Sequence, residues 1–142
     1  MYNIEKIQKF KERSVEISNL LSYLSLTNID SKDIENFCLT NSDNHNTYIC
    51  IDIEKDKLVG IITIFIERKL IHNMGKVAHI EDLVVHPEYR KNGISKLLIN
   101  TCIQYAKNEE CYKIILNCSE NLIKFYEKNN FHNSGFQMRL NL

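Results

Sequence analysis

The chain has 142 residues, of which 44% are hydrophobic and 25% charged, which suits one folded domain over residues 1–142 with a real core and excludes a disordered or disulfide-stapled scaffold. Lys plus Arg number 18 and Asp plus Glu number 18, so no bulk positive field recruits nucleic acid, and anion binding must come from local clustering. The N-terminus is charged throughout and the longest apolar run, 58–66, is too short to span a bilayer, so a cytoplasmic protein with no membrane partner is expected.

Ile17, Leu20, Leu21 and Leu24 fall at i, i+3, i+4 and i+7, which predicts a helix ending near Ser25, with Ile7 and Phe10 extending it or forming an earlier turn. Asp30 or Ser31 caps a second short helix carrying Ile34, Phe37 and Cys38, and a polar loop follows from Thr40 to Asn46. Tyr48 to Ile53 and Leu58 to Glu67 read as a hairpin, and Lys76 to Val85 as a third strand. Ile94, Leu97, Leu98, Thr101, Cys102 and Tyr105 mark a longer helix, Lys113 to Cys118 another strand, and the pair makes a parallel crossover. A last helix carries Leu122, Ile123, Phe125 and Tyr126, and a terminal strand is expected from Phe136 to Leu142. The order α-α-β-β-β-α-β-α-β describes an α+β fold with a mixed sheet.

Between the third strand and the long helix, Pro87 ends the apolar run and Gly93 occupies a tight turn beside Arg90, Lys91 and Lys96. A helix N-terminus offers free N–H groups and a positive dipole end, so this junction suits a phosphate or pyrophosphate. On these residues alone, a solvated loop with surface cations is the simpler reading. Glu81 and Asp82 interrupt an apolar strand, where strict alternation sends them to opposite faces and a charge needs water, a partner or a function. The five cysteines, Cys38, Cys50, Cys102, Cys111 and Cys118, lack CxxC spacing and read as reduced, buried thiols. His72, His79 and His86 recur every seven residues without converging, so no metal is expected.

Arg90-Lys91-Asn92-Gly93-Ile94-Ser95 resembles the R/Q-x-x-G-x-G/A turn of the GCN5-related N-acetyltransferases, with Ser95 in place of the last glycine or alanine. The blocks IERKLIH (66–72), HIEDLVV (79–85), CYKIILNC (111–118) and IKFYEKNNF (123–131), in this order, resemble the eukaryotic branch of that family that acetylates glucosamine 6-phosphate. The likeness runs from about Leu24 onward, and the family's first strand is expected to be short or missing.

The resemblance implies a GNAT fold, a mixed central sheet flanked by helices. It also implies direct transfer of acetyl from acetyl-CoA to the 2-amine of glucosamine 6-phosphate within a ternary complex, on the route to UDP-GlcNAc, by a homodimer with sites near the interface. Cofactor positions are then the backbone of Leu83, Val84 and Val85, the turn residues Arg90, Lys91, Asn92, Gly93, Ile94, Ser95 and Lys96, and Asn117, Tyr126, Glu127 and Lys128. Glu81 is the preferred acceptor of the amine proton, directly or through water, and the Tyr126 phenol the donor to the departing sulfur. Glu81, Asp82 and Leu83 line the sugar, while Lys69, Leu70, Ile71, His72, Tyr112 and Lys113 occupy sugar-phosphate positions. Ser25 matches a hydroxyl position, and Arg139, two residues before the position of the family's terminal arginine and on the same strand face, is expected to reach the phosphate of the other subunit's substrate, with a surface arginine as the alternative. Asn117 replaces an aspartate, Leu122 stands where asparagine is common, and Asn141 takes the place of a terminal arginine. An acetyltransferase for another amine, such as a polyamine or peptide, and a non-catalytic acetyl-CoA-binding module remain the alternatives.

Overall fold

A computed structural model describes residues 1–41 and 43–142; Ser42, within the expected Thr40–Asn46 loop, lies outside the described residues. The chain runs β1 (Tyr2–Lys6), a 3-10 turn (Ile7–Arg13), α1 (Ser14–Leu21), α2 (Ser31–Thr40), β2 (His45–Asp52) and β3 (Lys57–Arg68). It continues through a single turn, α3 (Ile71–Met74), to β4 (Lys76–Val85), a 3-10 turn (Pro87–Tyr89), α4 (Ile94–Asn108), β5 (Lys113–Ile115), a 3-10 turn (Glu120–Leu122) and α5 (Ile123–Glu127). The strands lie in the order β1-β2-β3-β4-β5, with β1 to β4 antiparallel and β5 parallel to β4 through the α4 crossover.

β3 sits at the centre of this sheet, and every residue from Leu58 to Ile64 is buried because helices cover both faces. On one face Val59, Ile62, Ile64, Ala78 and Ile80 meet Ile94, Leu98, Ile99, Cys102 and Ala106 of α4. On the other, Ile49, Ile61 and Val84 meet Ile17 and Leu20 of α1 and Ile34 of α2. Each fully buried Ile or Leu contributes about 1.5–3 kcal/mol relative to exposure, so the two stripes fix the helices to the sheet. Gly60 sets how closely α4 approaches: a Cβ there would meet Leu98 Cδ1 at 3.0 Å and Ile94 Cγ2 at 3.1 Å. Asp30 caps α2 through a reciprocal box: its carboxylate accepts from the Asp33 N–H at 2.9 Å, and the Asp33 carboxylate accepts from the Asp30 N–H at 2.9 Å.

Two expectations are corrected. The first strand is present as β1, paired along its five residues with Tyr48–Asp52, so the order begins β-α-α. Its apolar residues are few because it is an edge strand, with one side unpaired. The terminal strand is not formed: 132–142 carry no regular structure, and Phe136, Met138 and Leu140 are 95%, 90% and 84% exposed. The alternation is there, but a strand needs an edge to pair with, and this segment meets none within the chain. No helix among the described residues is long and apolar enough to cross a membrane.

Candidate active site

β4 and β5 form a ladder over only three pairs, Val77↔Lys113, Ala78↔Ile114 and His79↔Ile115, after which β5 ends. Ile80 to Val85 therefore keep a backbone edge that no β5 ladder satisfies, beside the irregular chain from Leu116 to Ser119. A row of free N–H and C=O groups is what an extended amide-bearing chain such as pantetheine pairs with. The positions expected to supply that backbone, Leu83, Val84 and Val85, lie on it.

Within the same strand β4 carries a bulge: Ile61 pairs with Val84 and Thr63 with Glu81, so Asp82 and Leu83 oppose one residue of β3. Asp82 takes a left-handed φ of 51°, which breaks the alternation. The expectation of opposite faces rests on strict alternation, and the pleat is irregular from Asp82 onward. Both are exposed, and neither side chain has an ion-pair or hydrogen-bond partner among the described residues. Two unpaired carboxylates on a bulge are placed to meet a cationic or amine-bearing solute.

Beyond β4 the chain turns through Pro87–Tyr89 into the N-terminus of α4. Lys91 and Gly93 have φ of 67° and 80°, and Gly93 is the residue before the first turn of α4. A Cβ at Gly93 would meet nothing within 4 Å, so glycine is needed for its left-handed backbone, and the space above the turn is open. Asn92 and Lys96 are exposed, Ile94 is buried and anchors the helix, and Ser95 is half-buried. Arg90 is tied back by its Nε donating to the Val85 carbonyl at 3.3 Å. Open N–H groups, three cations and a dipole end fit a pyrophosphate.

Tyr126 on α5 is half-buried between Phe125 and Phe131, with ring centroids 4.9 and 5.9 Å away in edge-on geometry. Burial, and secondarily the Cys118 thiol, push its phenol up from the ordinary value. Asn117, Glu127 and Lys128 are exposed near this end of the chain.

Lys69, Leu70, Ile71 and His72 occupy the turn between β3 and β4, where the Lys69 N–H donates to the Gly75 carbonyl at 2.8 Å. His72 and Tyr112 rings lie 4.3 Å apart, Lys113 Nζ sits 5.6 Å from the Tyr112 centroid, and Lys69 Nζ donates to Glu67 Oε1 at 2.7 Å. Gly75 makes room for this: a Cβ would stand 2.9 Å from two Tyr112 ring atoms. Glu67 and Gly75 were not singled out by sequence; the signal for Glu67 was a carboxylate inside the IERKLIH block. Leu70 and Ile71 are exposed and touch no part of the core clusters.

Ser25 lies in the α1–α2 connection, and Arg139, in the unpaired C-terminal segment, donates from Nε to Asn141 Oδ1 at 2.6 Å. Neither is brought to the β4 carboxylates by a described contact. The thiols are all free, but only Cys50 and Cys102 are buried; Cys38 and Cys111 are half-buried and Cys118 exposed, which corrects the expectation of uniform burial. Two cavities, of about 630 and 420 Å³, lie beside Asp52, Tyr89 and Asn92 and beside Tyr23 and His86, and neither contains Glu81 or Tyr126. No group of three or more His, Cys, Asp or Glu among the described residues is arranged to hold a metal.

A family model described as acetyltransferase (GNAT) family matches residues 14–131. The chain is 38% identical over 100 residues to glucosamine 6-phosphate N-acetyltransferase of Schizosaccharomyces pombe, covering 68% of this chain and 90% of that one. It is 39% identical over 101 residues to glucosamine 6-phosphate N-acetyltransferase 1 of Dictyostelium discoideum, covering 71% of this chain and 64% of that one, so it spans less than two thirds of the latter's length. The crystal structure of glucosamine-6-phosphate N-acetyltransferase from Arabidopsis thaliana superposes with a TM-score of 0.92 at 27% identity, covering 99% of this chain and 98% of that one. With the family model matching residues 14–131 and these relatives at 38% and 39% identity, the chain belongs to the GNAT family of acetyltransferases.

Proposed function

We propose that this chain is an acyltransferase that moves acetyl from acetyl-CoA to the 2-amine of glucosamine 6-phosphate, releasing CoA and N-acetylglucosamine 6-phosphate for UDP-GlcNAc synthesis. The observation that carries the reading is the free β4 edge from Ile80 to Val85, running past the unpaired carboxylates Glu81 and Asp82. Relatives of that name at 38% and 39% identity support the choice of sugar phosphate.

Acetyl-CoA lies with its pantetheine along Leu83, Val84 and Val85 and its pyrophosphate over Arg90–Lys96. The neutral amine nitrogen bonds to the acetyl carbon, and the C–S bond breaks. Glu81, directly or through water, takes the proton that nitrogen sheds. Backbone N–H groups at the bulge stabilise the developing oxyanion, an effect often worth about 3 kcal/mol per donor. Tyr126 gives its phenolic proton to the departing thiolate. Holding amine and thioester together supplies most of the acceleration, since the two react unaided.

Lys69, His72, Tyr112 and Lys113 take the sugar's phosphate, with Ser25 and a partner's Arg139 completing the site in a homodimer. The exposed, alternating Phe136, Met138, Leu140 and Leu142 support a dimer in which each C-terminal segment pairs with the other copy. Five free cysteines support a cytoplasmic, reducing location.

Release of CoA thiol across an amine panel tests the function. Glucosamine 6-phosphate should exceed glucosamine, a polyamine and a peptide N-terminus in kcat/KM. Equal use of the two sugars would remove the phosphate from the recognition, and acetyl-CoA binding without any turnover would make the domain a binding module.

A further inference from the structure

The Lys69 ammonium does not project freely into solvent. Its Nζ donates to Glu67 Oε1 at 2.7 Å, and the second oxygen of that carboxylate, Oε2, lies 2.8 Å from His79 Nε2. Glu67 is on β3 and His79 on β4, and the ladder pairs Phe65 with His79 and Glu67 with Val77, so the carboxylate reaches diagonally across one face of the sheet. The imidazole is fixed in turn: it stacks on Phe65 with centroids 4.3 Å apart and planes 13° apart, and Phe65 stacks on His45 at 5.0 Å and 14°. Phe37 of α2 closes the row edge-on to His45 at 6.1 Å. Lys69 is also held by its backbone, through the 2.8 Å bond to Gly75. The contact lowers the Glu67 carboxyl and raises the Lys69 amine from their ordinary values, in each case chiefly through their shared hydrogen bond.

The placement matters because His79 and Glu81 are two residues apart on the regular part of β4, before the bulge, and so share a face about 7 Å apart. The ammonium is therefore anchored one hydrogen-bonded side chain away from the residue beside the carboxylate that meets the amine. A lysine side chain has four rotatable bonds and about 2 kcal/mol of rotamer entropy to lose on binding an anion. A carboxylate that orders it in advance removes part of that cost.

We propose that Glu67 is a positioning residue of the sugar-phosphate site: fixed by His79, its carboxylate holds the Lys69 ammonium where the substrate's phosphate meets it. This rests on the sugar-phosphate reading above. Glu67 touches neither reacting atom, so its loss acts on binding and leaves chemistry alone.

Steady-state kinetics with glucosamine 6-phosphate and with glucosamine test it. Glu67→Gln and Glu67→Ala should each raise KM for glucosamine 6-phosphate about fivefold, the scale of one partly exposed charge pair, with kcat and KM for acetyl-CoA unchanged. Kinetics with glucosamine should not move. In a Lys69→Ala background, Glu67→Ala should have no further effect, because the two act as one unit. His79→Gln, which keeps a donor, should stay near the parent, while His79→Leu should follow Glu67→Ala. An unchanged or lowered KM in folded Glu67 variants, or an equal rise in the Lys69→Ala background, overturns the assignment. A parent enzyme that uses both sugars equally overturns it together with the sugar-phosphate reading, and the parent assay alone reveals that case.

Discussion

Tyr126 and Asp82 each owe their usefulness to an environment that a residue type does not announce. The phenol sits between Phe125 and Phe131, and burial raises it above the ordinary value. A raised acid stays protonated to higher pH, so the donor form of Tyr126 persists past the ordinary pKa of about 10. Loss of activity from its ionisation is therefore expected only on the far alkaline side, while the acidic limb belongs to the substrate amine, which attacks only when neutral. Tyr126→Phe should lower kcat about a hundredfold with little change in either KM, and kcat against pH should lose its far-alkaline fall. A kcat within twofold of the parent would remove the hydroxyl from leaving-group chemistry. Asp82 shows the same dependence on surroundings in its backbone. Its φ of 51° is uncommon for a residue with a Cβ, and it is held there by ladder pairs on both sides of the bulge. It interrupts the regular pleat at Asp82, and both Glu81 and Asp82 are left exposed.

The site is assembled by element ends, and these were unequally legible in sequence. β4 was readable to the residue, Lys76 to Val85, because its apolar positions and Pro87 bound it; the start of α4 at Ile94 followed from Gly93 and the helical stripe. The bulge was not readable, since an extra residue leaves no compositional mark when Asp82 supplies the left-handed conformation that glycine normally announces. β1 was missed because five edge residues with Tyr2 and Ile4 as their inward set give too little periodicity. The early end of β5 at Ile115 was also invisible: Ile114, Ile115 and Leu116 continue the apolar run, and only three-dimensional divergence from β4 ends the pairing. Gly93→Val tests the element that was readable. Left-handed backbone costs about 1–2 kcal/mol with a Cβ present, so the melting temperature should fall by several degrees while the fold survives, because nothing lies within 4 Å of the added atom. The same branched side chain fills the space over the turn, and KM for acetyl-CoA should rise about tenfold, a loss of about 1.4 kcal/mol. An unchanged KM for acetyl-CoA would detach the turn from the pyrophosphate.

At the scale of the molecule, the C-terminal segment is the part that finds no place in the packing of its own chain. Phe136, Met138, Leu140 and Leu142 alternate as a strand does, yet all four are exposed, and period 2 was therefore a correct sign of tendency and a wrong sign of pairing within the chain. Arg139 lies between two of these residues on the opposite set, so a segment that laid its apolar side on a second copy would turn the guanidinium the other way. Residues 132–142 make no contribution to either core cluster, which separates folding of the chain from whatever the segment does. Removing residues 132–142 should leave the melting temperature and acetyl-CoA binding close to those of the full chain. Sedimentation should shift from dimer to monomer, and KM for glucosamine 6-phosphate should rise at least as much as in Arg139→Ala. A truncated chain that still sediments as a dimer with an unaltered KM would place the interface elsewhere and free Arg139 from the site.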